Sequence, residues 1–221
     1  MTKTKTILSL ILNLVIALVT TGIVISYFCG NTGVLIQYGY ESFKFFTTDS
    51  NVLAAIAAVC VAAWDIRLLK QPDAVLPTWV IALKYVGTVA VMLTFCTVIF
   101  FLAPLYGPAA VLSNTSFHMH AAAPLFSLFS FCFLETDGRL RFYLTAVSII
   151  PTLLYAIVYT INVVFIGAWN DFYSFNAGGF WYITAPIMIA ASYLISVFTF
   201  ALHNRMVRLS VRQIAKEDKT S

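Results

Sequence analysis

The sequence predicts an all-α membrane protein of six transmembrane helices with both termini cytoplasmic. Three observations carry that expectation. First, 61% of the 221 residues are hydrophobic, only 10% are charged, and the mean hydropathy is +0.90. A soluble domain carries about 25% charged residues, so hydrocarbon must be the solvent for most of this chain. Second, six stretches are long and apolar enough to cross a core of about 30 Å, which takes about 20 helical residues. Third, the lysines and arginines fall almost entirely on one side of those stretches. Strands are set aside because open sheet edges cannot be satisfied in lipid.

The spans, in order, cover roughly residues 7–28, 45–68, 79–103, 116–134, 142–166 and 181–203. The first follows Lys3 and Lys5 and invites comparison with a signal peptide. It exceeds the usual signal core of about 7–15 residues and ends without a small-residue cleavage site, so it reads as a retained span. Turn-forming breaks separate the spans: "CGNTG", "KQPDAVLP", "PLYGPAAVLSN", "ETDGR" and "WNDFYSFNAGG". Pro124, Pro151 and Pro186 interrupt spans four, five and six, where freed carbonyls and kinks make room for a cavity. Residues 1–204 form the transmembrane domain and residues 205–221 a basic cytoplasmic tail. In that tail Arg205, Arg208 and Arg212 share one helical face, and Val207, Val211 and Ile214 another. Such a pattern suits a helix lying on anionic lipid.

Orientation follows from the basic residues. Lys3, Lys5, Arg67, Lys70, Arg139, Arg141, Arg205, Arg208, Arg212, Lys216 and Lys219, eleven of the 13, lie on the N-terminal side. Lys84, one turn into span three from that side, reinforces the count, and only Lys44 lies opposite. The positive-inside rule makes that side cytoplasmic. The four cysteines (Cys29, Cys60, Cys96, Cys132) fall one to a stretch without a CxxC pair and read as small apolar filler. Three histidines and few intramembrane acids argue against a zinc or di-iron site. No cofactor and no nucleic-acid partner is expected.

In this orientation spans two and four both enter from the outer face. The polar run "TTDSN" and the pair in "HMH" then sit within one or two turns of the same interface. Thr47, Ser50 and Asn51 are spaced i, i+3, i+4 and share a face. Thr48 and Asp49 point elsewhere and are expected to cap the helix entry. The run Phe43–Phe46 reads as a helix already begun, which leaves Thr47 and Asn51 without that role.

His118 and His120 lie about 200° apart on a helix of 3.6 residues per turn and cannot share one metal. One is expected to face the bundle, the other the interface. A histidine inside a span is a functional candidate, the plainer alternative being an interfacial histidine bonded to a loop carbonyl. In span five Tyr155, Tyr159 and Asn162 share a face, as cavity-lining groups or as interhelical hydrogen bonders. The connection "GAWNDFYSFNAGGFW" is long enough to fold over the mouth, and its Trp169, Phe172, Tyr173 and Trp181 suit an interfacial aromatic belt equally well.

These segments resemble a known family. "FFTTDSN" is similar to the phenylalanine–threonine–two residues–serine–asparagine signature of the androgen-induced membrane hydrolases and their bacterial relatives. "FHMHAAAP" resembles that family's histidine followed four or five residues later by proline, and "PTLLYAIVY" with "WNDFYSFNAGG" its proline–tyrosine span and aromatic segment. The resemblance runs from about residue 43 to 200. It implies hydrolysis of fatty-acyl esters among membrane lipids by a threonine nucleophile and a histidine, in a bacterial cell membrane. Thr47 matches the threonine, and His120, with Pro124 behind it, matches the histidine; His118 has no counterpart. Neutral histidine is the usual base for a hydroxyl nucleophile, while Ser50, Asn51 or a span-five tyrosine is left to orient it or to stabilise the oxyanion. Asp49 adds a charge beside the nucleophile. Competing with this are a non-enzymatic lipid or small-molecule binder or transporter, and a structural or sensory membrane protein.

The orientation makes a direct prediction. In a cysteine-free background of intact cells, a membrane-impermeant maleimide should label Glu41→Cys and not Arg139→Cys; the reverse pattern would overturn it.

Overall fold

The computed structural model describes residues 2–29, 38–71 and 74–217, and every regular element among them is helical. Six helices are long and apolar enough to cross a membrane: α1 Lys3–Ser26, α2 Phe46–Lys70, α3 Thr78–Tyr106, α4 Asn114–Leu134, α5 Leu144–Phe165 and α6, which begins at Trp181. The sequence places the first five within a few residues of these bounds. The sixth differs, because α6 runs unbroken from Trp181 to Glu217, straight through the start of the basic tail. Residues 30–33 of the first break, residues 72 and 73 of the second and the side chain of Ile214 lie outside the described residues.

Close helix approach is built from small side chains, since lipid offers no hydrophobic force between helices. Along α2, Ala54, Ala57 and Ala58 are buried. Gly87 of α3 faces them so tightly that a Cβ there would sit 3.1 Å from the Ala54 Cα. Hydroxyl pairs join the other helices. The hydroxyls of Tyr85 and Ser196 are 2.6 Å apart, those of Thr88 and Ser127 2.8 Å, and those of Thr152 and Ser192 3.1 Å, all buried. Two of the three span prolines mark a local change. Pro151 opens the helical segment Ile150–Thr160 after a turn at residues 148–149, and Pro124 follows a π-helical turn at His118–Ala122. Pro186 does not interrupt its helix as expected: α6 passes through it.

The start of α1 meets the far part of α6 at one end of the bundle, where the Lys5 ammonium donates to Ser210 Oγ at 3.3 Å. In this half the structure buries an ionic network that the sequence reading did not assemble. Lys84 is 0% exposed and donates to Asn13 Oδ1 at 2.6 Å. The Asn13 amide in turn donates to Glu135 Oε1 at 2.9 Å, and Lys84 lies 3.9 Å from the same oxygen. Asp65, also fully buried, completes the cluster with neither carboxyl oxygen hydrogen-bonded. Lys84 is therefore an internal counter-charge as well as a member of the basic side.

Removing one partner of a buried pair costs about 3–5 kcal/mol, because the other charge is left uncompensated. Lys84→Met should therefore lower the thermal midpoint in detergent sharply, and Lys84→Met combined with Glu135→Gln should recover part of the loss.

Candidate active site

The end of the bundle opposite the chain termini holds the other polar concentration. Its starting point is the entry of α2. A short 3₁₀ helix, Gly39–Lys44, precedes it, and Phe45 sits between them in extended conformation at φ −98°, ψ 125°. The helix thus begins at Phe46, not earlier as the aromatic run suggested. Phe45 is its N-cap and no side chain caps it. Thr48 and Asp49 lie inside the first turns, and the expected capping role does not apply to them. Phe46 and Thr47 occupy the first two helical positions, whose backbone N–H groups have no carbonyl within the helix to bond.

Across from Thr47 stands α4, where the backbone geometry is set by Pro124. In the π-helical turn the Ala123 N–H bonds the His118 carbonyl, five residues back. The next amide in that register would belong to Pro124, which has none. The Met119 carbonyl is therefore left free, and Asn51 takes it. The Asn51 side-chain amide, 0% exposed, donates to the Met119 carbonyl at 2.9 Å and to the Thr47 carbonyl at 2.8 Å. One amide so ties the backbone of the threonine to the residue before His120.

The two side chains meet. Thr47 Oγ1 lies 3.4 Å from His120 Nε2, and His120 Nδ1 lies 2.6 Å from the Val111 carbonyl oxygen. A carbonyl only accepts, so Nδ1 carries the proton, and in the neutral ring Nε2 is the free lone pair facing the threonine hydroxyl. The loop carbonyl considered as the plainer fate of a histidine here becomes the group that sets its tautomer. The 3.4 Å separation is longer than an ordinary hydrogen bond of 2.7–3.2 Å, a looseness common in unliganded acid–base pairs.

The remaining candidates divide. Ser50 Oγ pairs with Thr94 Oγ1 at 2.9 Å and is turned to α3 rather than to the histidine. His118 is turned to α1 and not to Thr47, its Nε2 lying 3.2 Å from Thr20 Oγ1. Asp49 lines a groove with Phe43, Phe46, Leu53 and Trp169 and has no hydrogen-bond or ion-pair partner among the described residues. Tyr155 donates to the Lys44 carbonyl at 2.6 Å and Tyr159 to Asp171 Oδ1 at 2.7 Å. Asn162 leaves the cavity face expected for it, since its amide folds back onto the Val158 carbonyl of its own helix at 2.8 Å. The third histidine, His203, sits far away between the carbonyls of Phe131 and Gly138.

Beside Thr47 opens an apolar cavity of about 70 Å³. Phe46, Thr47, Val98, Tyr155, Tyr173 and Met188 are among the residues of α2, α3, α5, α6 and the α5–α6 connection that line it. Neither Lys84, Glu135, Asn13 nor Asp65 is part of its lining. The connection folds onto the mouth, where Trp169, Phe172 and Tyr173 pack with Val98, Leu102 and Tyr159. Asp171 shapes it, accepting from the Phe175 and Asn176 amides at 2.9 Å each, with Ser174 left-handed at φ 55°.

That turn drives Tyr173 inward, a residue the sequence assigned only to the aromatic belt. Tyr173 is 8% exposed, and its hydroxyl has no hydrogen-bond partner among the described residues. It lies beside the Thr47 hydroxyl and the Phe46 and Thr47 amides. Burial pushes the phenol up to about 12, so it keeps its proton at neutral pH. Its sequence signal was the acidic Asp171 two residues earlier, which has no reason to sit in an aromatic belt unless it builds a turn.

No family model, curated protein or solved structure matches this chain.

The Asn51 clamp can be checked separately from any chemistry. Asn51→Ala leaves the buried Met119 carbonyl unbonded at about 1–3 kcal/mol, while the Thr47 carbonyl keeps Ser50 Oγ at 3.2 Å, so it should lower the thermal midpoint in detergent by several degrees, whereas Asn162→Ala should not move it.

Proposed function

We propose that this chain is an intramembrane hydrolase of lipid esters, with Thr47 as nucleophile and His120 as general base. The observation that carries the reading is the Thr47 Oγ1–His120 Nε2 approach at 3.4 Å, with the opposite ring nitrogen committed to the Val111 carbonyl. As Thr47 Oγ attacks the ester carbonyl, its proton passes to His120 Nε2. The alkoxide leaves with that proton, and an acyl-threonine remains. Water then attacks the acyl carbon, giving its proton to Nε2, and collapse returns it to Thr47 with release of the fatty acid.

Three further features support the reading. The apolar cavity suits an acyl chain, and it opens beside the nucleophile. The motifs resembling the androgen-induced membrane hydrolases coincide with the two residues that meet. With both termini cytoplasmic in a bacterial cell membrane, the pair lies at the depth of the outer-leaflet ester bonds.

A transport role has one observation in its favour. Buried polar groups step down α3 from Thr94 through Thr88 to Lys84. Each step, however, closes on a local partner, and the cavity itself lies in one half of the bundle.

The test is covalent labelling of the purified protein by a lipophilic fluorophosphonate. The wild type should be labelled, and Thr47→Ala and His120→Ala should lose labelling and long-chain ester hydrolysis by at least about 10³-fold. Equal labelling in all three would overturn the proposal.

A further inference from the structure

We propose that the Tyr173 hydroxyl and the backbone N–H groups of Phe46 and Thr47 form the oxyanion site for attack by Thr47. This assignment rests on the hydrolase reading and names the groups that stabilise its charged intermediate.

Hydrogen-bond accounting selects Tyr173 from the polar groups near the nucleophile. Both N–H bonds of the Asn51 amide are used, on the Thr47 and Met119 carbonyls, and its free Oδ1 can only accept. Ser50 is paired with Thr94. Tyr155 and Tyr159 spend their protons on the Lys44 carbonyl and the Asp171 carboxylate. Tyr173 alone of these keeps an unspent O–H, buried to 8% exposure and set beside the Thr47 hydroxyl.

An orphaned buried hydroxyl costs about 1–3 kcal/mol, a cost that makes sense where a ligand oxygen will take the bond. Two more donors converge there. Phe46 packs on the cluster that holds Tyr173, Thr47 lines the same cavity, and their amides open a 25-residue helix whose dipole favours negative charge at this end. The phenol is held in place from behind by the Asp171 turn and by its own N–H, which donates to Tyr159 Oη at 3.4 Å.

The electron bookkeeping is simple. As Thr47 Oγ bonds the carbonyl carbon, the C=O π pair moves to oxygen, which accepts the O–H and N–H bonds. Collapse returns the pair to C=O and expels the alkoxide, protonated by His120 Nε2–H. Tyr173 keeps its proton throughout, so it stabilises charge without acting as an acid.

The experiment compares wild type, Tyr173→Phe and Thr47→Ala on a long-chain p-nitrophenyl ester in detergent micelles. Tyr173→Phe should lower kcat about 10²-fold, as loss of one oxyanion donor does elsewhere, with KM within about threefold and a thermal midpoint raised rather than lowered, because the unpaired buried hydroxyl is gone. A trifluoromethyl ketone with the same acyl chain, which mimics the oxyanion, should lose affinity by a comparable factor. As a measurement that needs no variant, the wild type should turn over the matched thionoester about 10²-fold more slowly, because developing charge on sulfur accepts these bonds poorly. An active Tyr173→Phe enzyme within about threefold of wild type, or equal ester and thionoester rates, would overturn the oxyanion assignment while leaving Thr47 and His120 in place. A wild type without activity, or an undiminished Thr47→Ala, would remove the hydrolase reading and this assignment with it.

Discussion

The Asn51 amide is the interaction on which the site depends. It exists because a proline five residues on denies the Met119 carbonyl its partner in the π-helical turn. In lipid such a carbonyl has no water to turn to, so a buried side-chain amide on the neighbouring helix becomes its only outlet. By bonding the Thr47 carbonyl as well, the same amide locks the level of α2 against α4. The hydroxyl and the imidazole are brought together through the backbone carbonyls of Thr47 itself and of the residue before His120, so neither side chain is consumed in the clamp.

The bundle separates two kinds of polar chemistry by depth. Toward the chain termini, Lys84, Glu135 and Asn13 form a closed internal network. Toward the other end, Thr47 and Tyr173 line a cavity whose walls are mostly apolar. A low-dielectric wall strengthens each dipole aimed at a developing charge.

The α5–α6 connection completes the arrangement through a single carboxylate. Asp171 binds two successive amides and the Tyr159 hydroxyl, and the turn it holds places Tyr173 over the start of α2. The aromatic side chains around it pack on α3 and α5. Asp49, two residues after Thr47, lines a separate groove.

Much of this was legible without coordinates. Six spans follow from apolar length alone, because every backbone polar group in lipid must be satisfied within a helix. The face shared by Thr47, Ser50 and Asn51 follows from 3.6 residues per turn, and the common depth of Thr47 and His120 follows from counting spans. Interhelical rotation was not legible. It decided that His118 turns to Thr20 while His120 turns to Thr47, and that Asn162 bonds its own helix. Nor could local sequence show that Phe45 leaves the helical conformation, that Lys84 pairs with Asn13 across 71 residues, or that Tyr173 ends buried beside the nucleophile. Each of these depends on which unpaired donor or acceptor a neighbouring helix happens to present, and only packing brings those partners face to face.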